Sequence, residues 1–205
     1  MKKIVTLMLA ALLVLGLAAG ASAISFSVGY VPLGVYSDPD FGVYYDLTAW
    51  TIQADQPLTD RFSLGLEAIS GNTAPIDYSI QLVELYGKYN FYQAGNFSVG
   101  LVASYAWSDL HFGLEYQAQS IYTGVGFGLA LTERFSVNGV YKMAIWSNQD
   151  ADEFYPRVRS MAKLNFQYEV APGLTLSAGY VYYQHCYVEP HFTYDGYQVG
   201  LTWSL

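Results

Sequence analysis

The 205-residue sequence has a single cysteine and only nine Lys and Arg against 17 Asp and Glu, a formal net charge of −8. One cysteine excludes an internal disulfide framework. Basic residues so few, and nowhere clustered, argue against nucleic-acid binding, which needs a basic face. Charge of either sign is scarce: 13% of the chain, about half of the ~25% usual in soluble domains. Beyond residue 23 no run of 18 apolar residues occurs, so no membrane-spanning helix is expected there. What the chain does have is aromatic: 20 Tyr, 11 Phe and 4 Trp within a 53% apolar composition. Such a composition excludes disorder, which needs low hydrophobicity and high charge. It also leaves a conflict, because the chain is too apolar for an ordinary soluble domain and has no helix to place in a bilayer.

The first 23 residues read as an export signal. Lys2 and Lys3 precede the apolar stretch Ile4 to Leu17, and Ala21-Ser22-Ala23 forms a small-x-small cleavage site. The stretch falls short of the ~20 residues a spanning helix needs. No cysteine follows the cleavage site, so a lipoprotein anchor is not expected. The expected domain is 24–205; without Lys2 and Lys3 it carries 7 basic and 17 acidic residues, a net of −10.

An internal repeat organises that domain. Phe26-Ser27-Val28-Gly29 returns as Phe62-Ser63-Leu64-Gly65, Phe97-Ser98-Val99-Gly100, Phe135-Ser136-Val137 and, more loosely, Leu174-Thr175-Leu176. The intervals are 36, 35, 38 and 39 residues, room for two long strands each. A longer phrase also recurs, Leu58-Thr59-Asp60-Arg61-Phe62-Ser63 and Leu131-Thr132-Glu133-Arg134-Phe135-Ser136. Each copy opens a run of strict alternation, the mark of a strand with two unlike faces. Ten strands are predicted: 24–36, 41–54, 61–70, 77–91, 97–107, 116–131, 135–146, 157–169, 174–184 and 193–205. Connections at one end (55–60, 92–96, 132–134, 170–173) are tight. Those at the other end are mostly longer and carry Pro, Asp, Asn and His.

The two faces identify the solvent. One is apolar and aromatic. The other holds mainly Gly, Ser, Ala, Thr, Asn and Gln, which suits the crowded inside of a closed cylinder better than a water-facing sheet. With the apolar face outward, aromatics gather toward strand ends. Phe62, Phe97, Phe135, Tyr168 and Trp203 fall toward the tight turns, and Tyr45, Tyr105, Trp107, Tyr141 and Tyr180 toward the other end. Two aromatic girdles at two interfaces are expected of a barrel in lipid. Each strand reaches the ~10 residues that a tilted crossing needs. Closure follows from backbone chemistry, since an open sheet edge cannot exist in hydrocarbon. The fold expected is an all-β, closed, antiparallel up-and-down transmembrane barrel of ten strands, with eight as the alternative count.

With its export signal, alternating strands and terminal strand Tyr197-x-Val199-x-Leu201-x-Trp203-x-Leu205, the chain resembles the small outer-membrane β-barrel proteins of bacteria. The resemblance implies outer-membrane location and insertion by the outer-membrane assembly machinery, with membrane lipid as the surrounding partner. Members commonly end in Phe or Trp; here the last residue is Leu205 and the aromatic Trp203 lies two positions earlier.

The inward faces are expected to carry Asp46, Glu67, Glu84 and Lys88 from strands 2 to 4, and Lys142, Arg157, Arg159 and Lys163 from strands 7 and 8. These strand groups lie opposite each other in a ten-strand cylinder, so acids face bases, and Glu67 or Glu84 is expected to pair with Lys142 or Lys163. Paired charges filling the lumen are the structural reading; a narrow ion path with a charged constriction is the functional one. Inward Trp50, Ile69, Leu82 and Trp146 are the support for uptake of a small apolar compound, as in OmpW-type barrels. Recognition or adhesion through the aromatic-rich longer connections is a further alternative, with the extracellular ligand unknown.

No catalytic residues, cofactor or metal are expected. The segment His185-Cys186-Tyr187-Val188-Glu189-Pro190-His191 looks like a ligand cluster but matches no zinc spacing. Omptin-like proteases also have ten strands, and Asp109 near His111 mimics one of their acid–His pairs, yet no His falls on a predicted strand to activate a nucleophile.

Overall fold

The computed structural model describes residues 24–38, 42–74, 79–111, 115–148, 157–186 and 191–205. The export signal lies outside them, as do 187–190 of the His/Cys segment. Ten strands run through these residues: β1 (Ser25–Asp38), β2 (Val43–Pro57), β3 (Phe62–Ala74), β4 (Ser79–Ala94), β5 (Phe97–His111), β6 (Glu115–Ala130), β7 (Phe135–Asn148), β8 (Arg157–Ala171), β9 (Leu174–Cys186) and β10 (His191–Ser204). Each pairs with its chain neighbours, and β1 pairs with β10 from Ser25↔Ser204 to Ser37↔Thr193, closing an antiparallel barrel. The count is ten rather than eight. Most strands continue past their predicted limits at the long-connection end; β5 reaches His111 and β3 reaches Ala74.

The repeated phrases have structural counterparts. In the two long copies the Thr hydroxyl accepts the backbone N–H groups that begin the next strand. Thr59 Oγ1 takes Arg61 at 3.2 Å and Phe62 at 3.0 Å, and Thr132 Oγ1 takes Arg134 at 3.3 Å and Phe135 at 3.0 Å. Two phrases that differ only by Asp60 against Glu133 thus build the same turn. The other two hairpins use glycine. Gly95 at φ 58 opens a two-residue turn with Asn96, and Gly173 at φ 74 follows Pro172 in the arrangement of a type II turn. Replacing Thr59 with Ala should cost about 1 kcal/mol, the usual worth of a net hydrogen bond. Thr59→Ser should restore most of it, as read by urea unfolding in detergent.

β1 carries a bulge where the register slips between Tyr30 and Leu33 against β10 and between Val31 and Gly34 against β2. Pro32, which has no N–H to give to either ladder, sits in the slip. Outward positions across the middle of the wall are exposed and apolar, among them Leu101 at 53%, Val125 at 50% and Val199 at 50%.

A buried apolar cluster lies inside the barrel. It joins Val31, Leu47, Ile69, Leu82, Met161 and Val181, with Tyr122, Tyr183 and Tyr194 among its aromatic members. On four strands this cluster, or a residue packed on it, comes one inward step beyond a charged residue: Ile69 after Glu67, Leu82 before Glu84, Ala144 after Lys142, Met161 before Lys163. The lumen is therefore layered, apolar toward the long connections and polar toward the tight turns.

That layering reverses part of the expected face assignment. Asp46, expected inward, is exposed on the outward register of β2 with Thr48, and Trp50, also expected inward, is 58% exposed there. Tyr45, expected in the outer girdle, points inward and packs on the apolar cluster. The outward face of β2 turns polar near the long connections while its inward face turns apolar, so polarity marks opposite sides at the strand's two ends. Trp146, expected inward, is 47% exposed because a register shift in β6–β7 opposes Ile121 to Trp146 and Tyr122 to Ala144. The extra residue re-aims the indole outward.

Candidate functional site

The charged middle of the lumen is the candidate site. β3 and β4 bring Glu67 and Glu84 directly opposite one another. Two adjacent carboxylates on one wall repel unless each has its own cation. Across the lumen β7 and β8 supply them: Lys142 Nζ donates to Glu84 and Lys163 Nζ donates to Glu67. The first pair is the more deeply buried, with side chains 4% and 0% exposed; the second stands at 10% and 6%. Each ammonium also lies over a tyrosine ring, Lys142 at 5.9 Å from the centroid of Tyr86 and Lys163 at 5.8 Å from that of Tyr183. Both distances suit a cation–π contact. Tyr183 is in turn stacked on Tyr194, with centroids 5.2 Å apart and planes 6° from parallel.

Below this layer, toward the tight turns, is a cavity of about 330 Å³. Its wall includes Asp55, Lys88 and a ring of amides and hydroxyls from β1, β2 and β7 to β10. Tyr86 donates its hydroxyl to Asp55, whose other oxygen accepts Gln53 Nε2 at 2.6 Å. Tyr86 can reach Asp55 because its cross-strand partner is Gly65, where an added Cβ would collide with the phenol ring. Further round the wall, Gln198 Nε2 donates to Thr51 Oγ1 at 2.9 Å and Asn138 Nδ2 to Gln167 Oε1 at 2.7 Å.

Of the eight residues expected in the lumen, Glu67, Glu84, Lys142 and Lys163 form the two ion pairs, and Lys88 lies in the cavity wall. Asp46 is outside the barrel. Arg157 and Arg159 begin β8, and their side chains lie outside the described set. The sequence reading missed Asp55, Tyr86 and Gln53. Asp55 had been assigned to a turn, although the alternation Thr51, Gln53, Asp55 continues through it.

The girdle residues at the tight-turn end, Phe62, Phe97, Phe135, Tyr168 and Trp203, lie on outward registers, Phe135 stacking on Phe166 at 6.4 Å. At the other end Tyr105 and Trp107 meet edge to face at 4.5 Å, and Tyr105 donates to Gln119 Oε1 at 2.5 Å. Tyr180 packs on Tyr197 at 5.6 Å and donates to Asp195 at 2.5 Å. These phenols place a ring against apolar surface and a hydroxyl against a polar partner, the arrangement a water–lipid boundary favours. Tyr141 lies near mid-strand instead, paired with Val125 and Ala162.

Asp109 and His111 share the outward register of β5 with Tyr105 and Trp107, so neither faces the lumen. Among the described residues no group of three or more His, Cys, Asp and Glu could hold a metal ion. The side chains of His185, Cys186 and His191 are not among those described.

No protein-family model and no curated protein sequence matches the chain. Solved structures do. The outer membrane protease OmpT from Escherichia coli superposes with a TM-score of 0.59 at 11% identity, covering 89% of this chain and 97% of that one. This chain has the fold of the bacterial outer-membrane barrels. An outer membrane channel from Pseudomonas putida F1 gives a TM-score of 0.50 at 10% identity, with 90% and 95% covered. Neisserial surface protein A gives 0.47 at 13% identity, with 89% and 97% covered. A protease and a channel on one architecture leave function to the residues of the site.

Proposed function

We propose that the protein is a non-enzymatic barrel of the bacterial outer membrane whose lumen does not conduct ions. The observation that carries this reading is the sequence of layers inside the wall: two Lys–Glu pairs crossing the lumen, then buried apolar side chains. A hydrated ion would have to part the pairs and then shed water among Leu47, Ile69, Leu82 and Met161. Membrane insertion is supported by the exposed apolar belt and its aromatic borders, with the tight turns and both chain ends on the periplasmic side. Lipid and the assembly machinery are its expected partners. The non-enzymatic reading is supported by Asp109 and His111 pointing away from the lumen.

Planar-bilayer recording tests it. Refolded protein should give no discrete openings above the bilayer leak, and Lys163→Met should stay closed because the apolar layer is untouched. Reproducible unitary steps in the unaltered protein would establish a channel.

A further inference from the structure

The cavity below the ion pairs has a property the closed lumen does not explain. Both carboxylates in its wall have side-chain partners: Asp55 accepts from Tyr86 and Gln53, and Glu67 pairs with Lys163. One cation differs. Lys88, half-buried on β4, faces the same cavity and makes no hydrogen bond or ion pair among the described residues. β6 presents Gly126 to its stem; a Cβ there would stand in ordinary contact with Lys88 Cε, at 3.7 Å. Across the cavity Asn165 also makes no described side-chain hydrogen bond; it lies over Gly179, where no side chain competes for the space. The rest of the wall mixes hydroxyls and amides, among them Thr51, Gln198 and Ser177, with the apolar Val28, Val102, Phe127 and Val140. The cavity's lining runs to Ser25, Asp55 and Thr202, close to the tight-turn ends of their strands, while the apolar layer stands at its far end.

The geometry points to a dead-end binding site, reached from the tight-turn side, for a small hydroxylated carboxylate held by Lys88. A cation finds Glu67 already paired with Lys163 and both oxygens of Asp55 engaged by Tyr86 and Gln53. An apolar solute would cover Lys88 and the Asn165 amide without giving either a polar partner, which is costly. A carboxylate finds in Lys88 an ammonium with no hydrogen bond or ion pair among the described residues, its hydroxyls find the amides, and about 330 Å³ admits a molecule of about six or seven carbons and their oxygens. This site does not depend on whether the barrel conducts, and its test does not measure conductance.

The probe is D-gluconate, titrated calorimetrically into the folded protein in detergent, with sorbitol as the uncharged counterpart. Gluconate should bind saturably at one site per chain, and sorbitol at least tenfold more weakly. Lys88→Met should weaken gluconate at least tenfold and leave the heat-modifiable gel shift of the folded barrel intact. Lys88→Gln serves the same purpose should the methionine variant fail to fold. Absence of gluconate binding to the unaltered protein overturns the proposal. So does equal binding of sorbitol, or unchanged affinity in a folded Lys88 variant.

Discussion

Replacing Glu84 with Gln should destabilise the barrel by about 3–5 kcal/mol, the largest effect expected of any single change in the lumen. Glu84 is wholly buried and Lys142 is 4% exposed, so the substitution leaves an ammonium with no counter-ion and little water. The contact over Tyr86 does not replace a carboxylate, since a cation–π contact contributes about 0.5–2 kcal/mol. The matching change Lys142→Met should be comparably harmful. Combined, the two should cost less than their sum, because the double variant buries no unpaired charge. Urea unfolding in detergent micelles, run as a double-mutant cycle, reads the coupling. The Lys163–Glu67 pair is an internal comparison. Both of its side chains line the polar cavity, where water can approach, so Glu67→Gln should cost clearly less than Glu84→Gln. Additive costs at Glu84 and Lys142 would mean that the contact contributes nothing specific.

The strands and their closure were legible in the sequence because alternation and lipid leave few options. Phe97 to Trp107 and Phe135 to Ile145 each spell an outward set that the structure keeps. The pairing of acids with bases was legible because β3 and β4 stand opposite β7 and β8 in any ten-strand barrel. Less legible was where the lipid stops. Polarity labels a face only against a known solvent, and the strands run past the apolar belt toward the long connections. There the outside meets water and the inside is packed. Tyr45, Asp46 and Trp50 were misplaced for that single reason. Trp146 was misplaced for another, since a bulge changes parity without any composition signal. Asp55 and Tyr86 were missed because an acid beside Gln and Pro reads as a turn, and because an inward tyrosine looks like one more girdle residue. Gly65 was the available clue: a glycine opposite a tyrosine leaves room for the ring to lie flat.

The second large effect belongs to the outer wall. Val125 is 50% exposed on β6 and is flanked at the same height by Leu101 and Tyr141. If this belt meets lipid, Val125→Arg places a guanidinium near the bilayer midplane and should cost about 2–4 kcal/mol of folding stability in vesicles. The same change at Gln119, beside Tyr105 at the outer girdle, should cost about 0–1 kcal/mol, because there the charge reaches headgroups and water. The depth dependence is the discriminating quantity. In a barrel surrounded by water, neither position would penalise an arginine by more than its loss of packing, and the two costs would be alike. Measured by urea titration of protein folded into phospholipid vesicles, a difference of about 2 kcal/mol or more between the two sites is expected of a lipid-facing wall. Equal costs would remove the bilayer from the account and require another cover for the exposed apolar side chains of β5, β6 and β7.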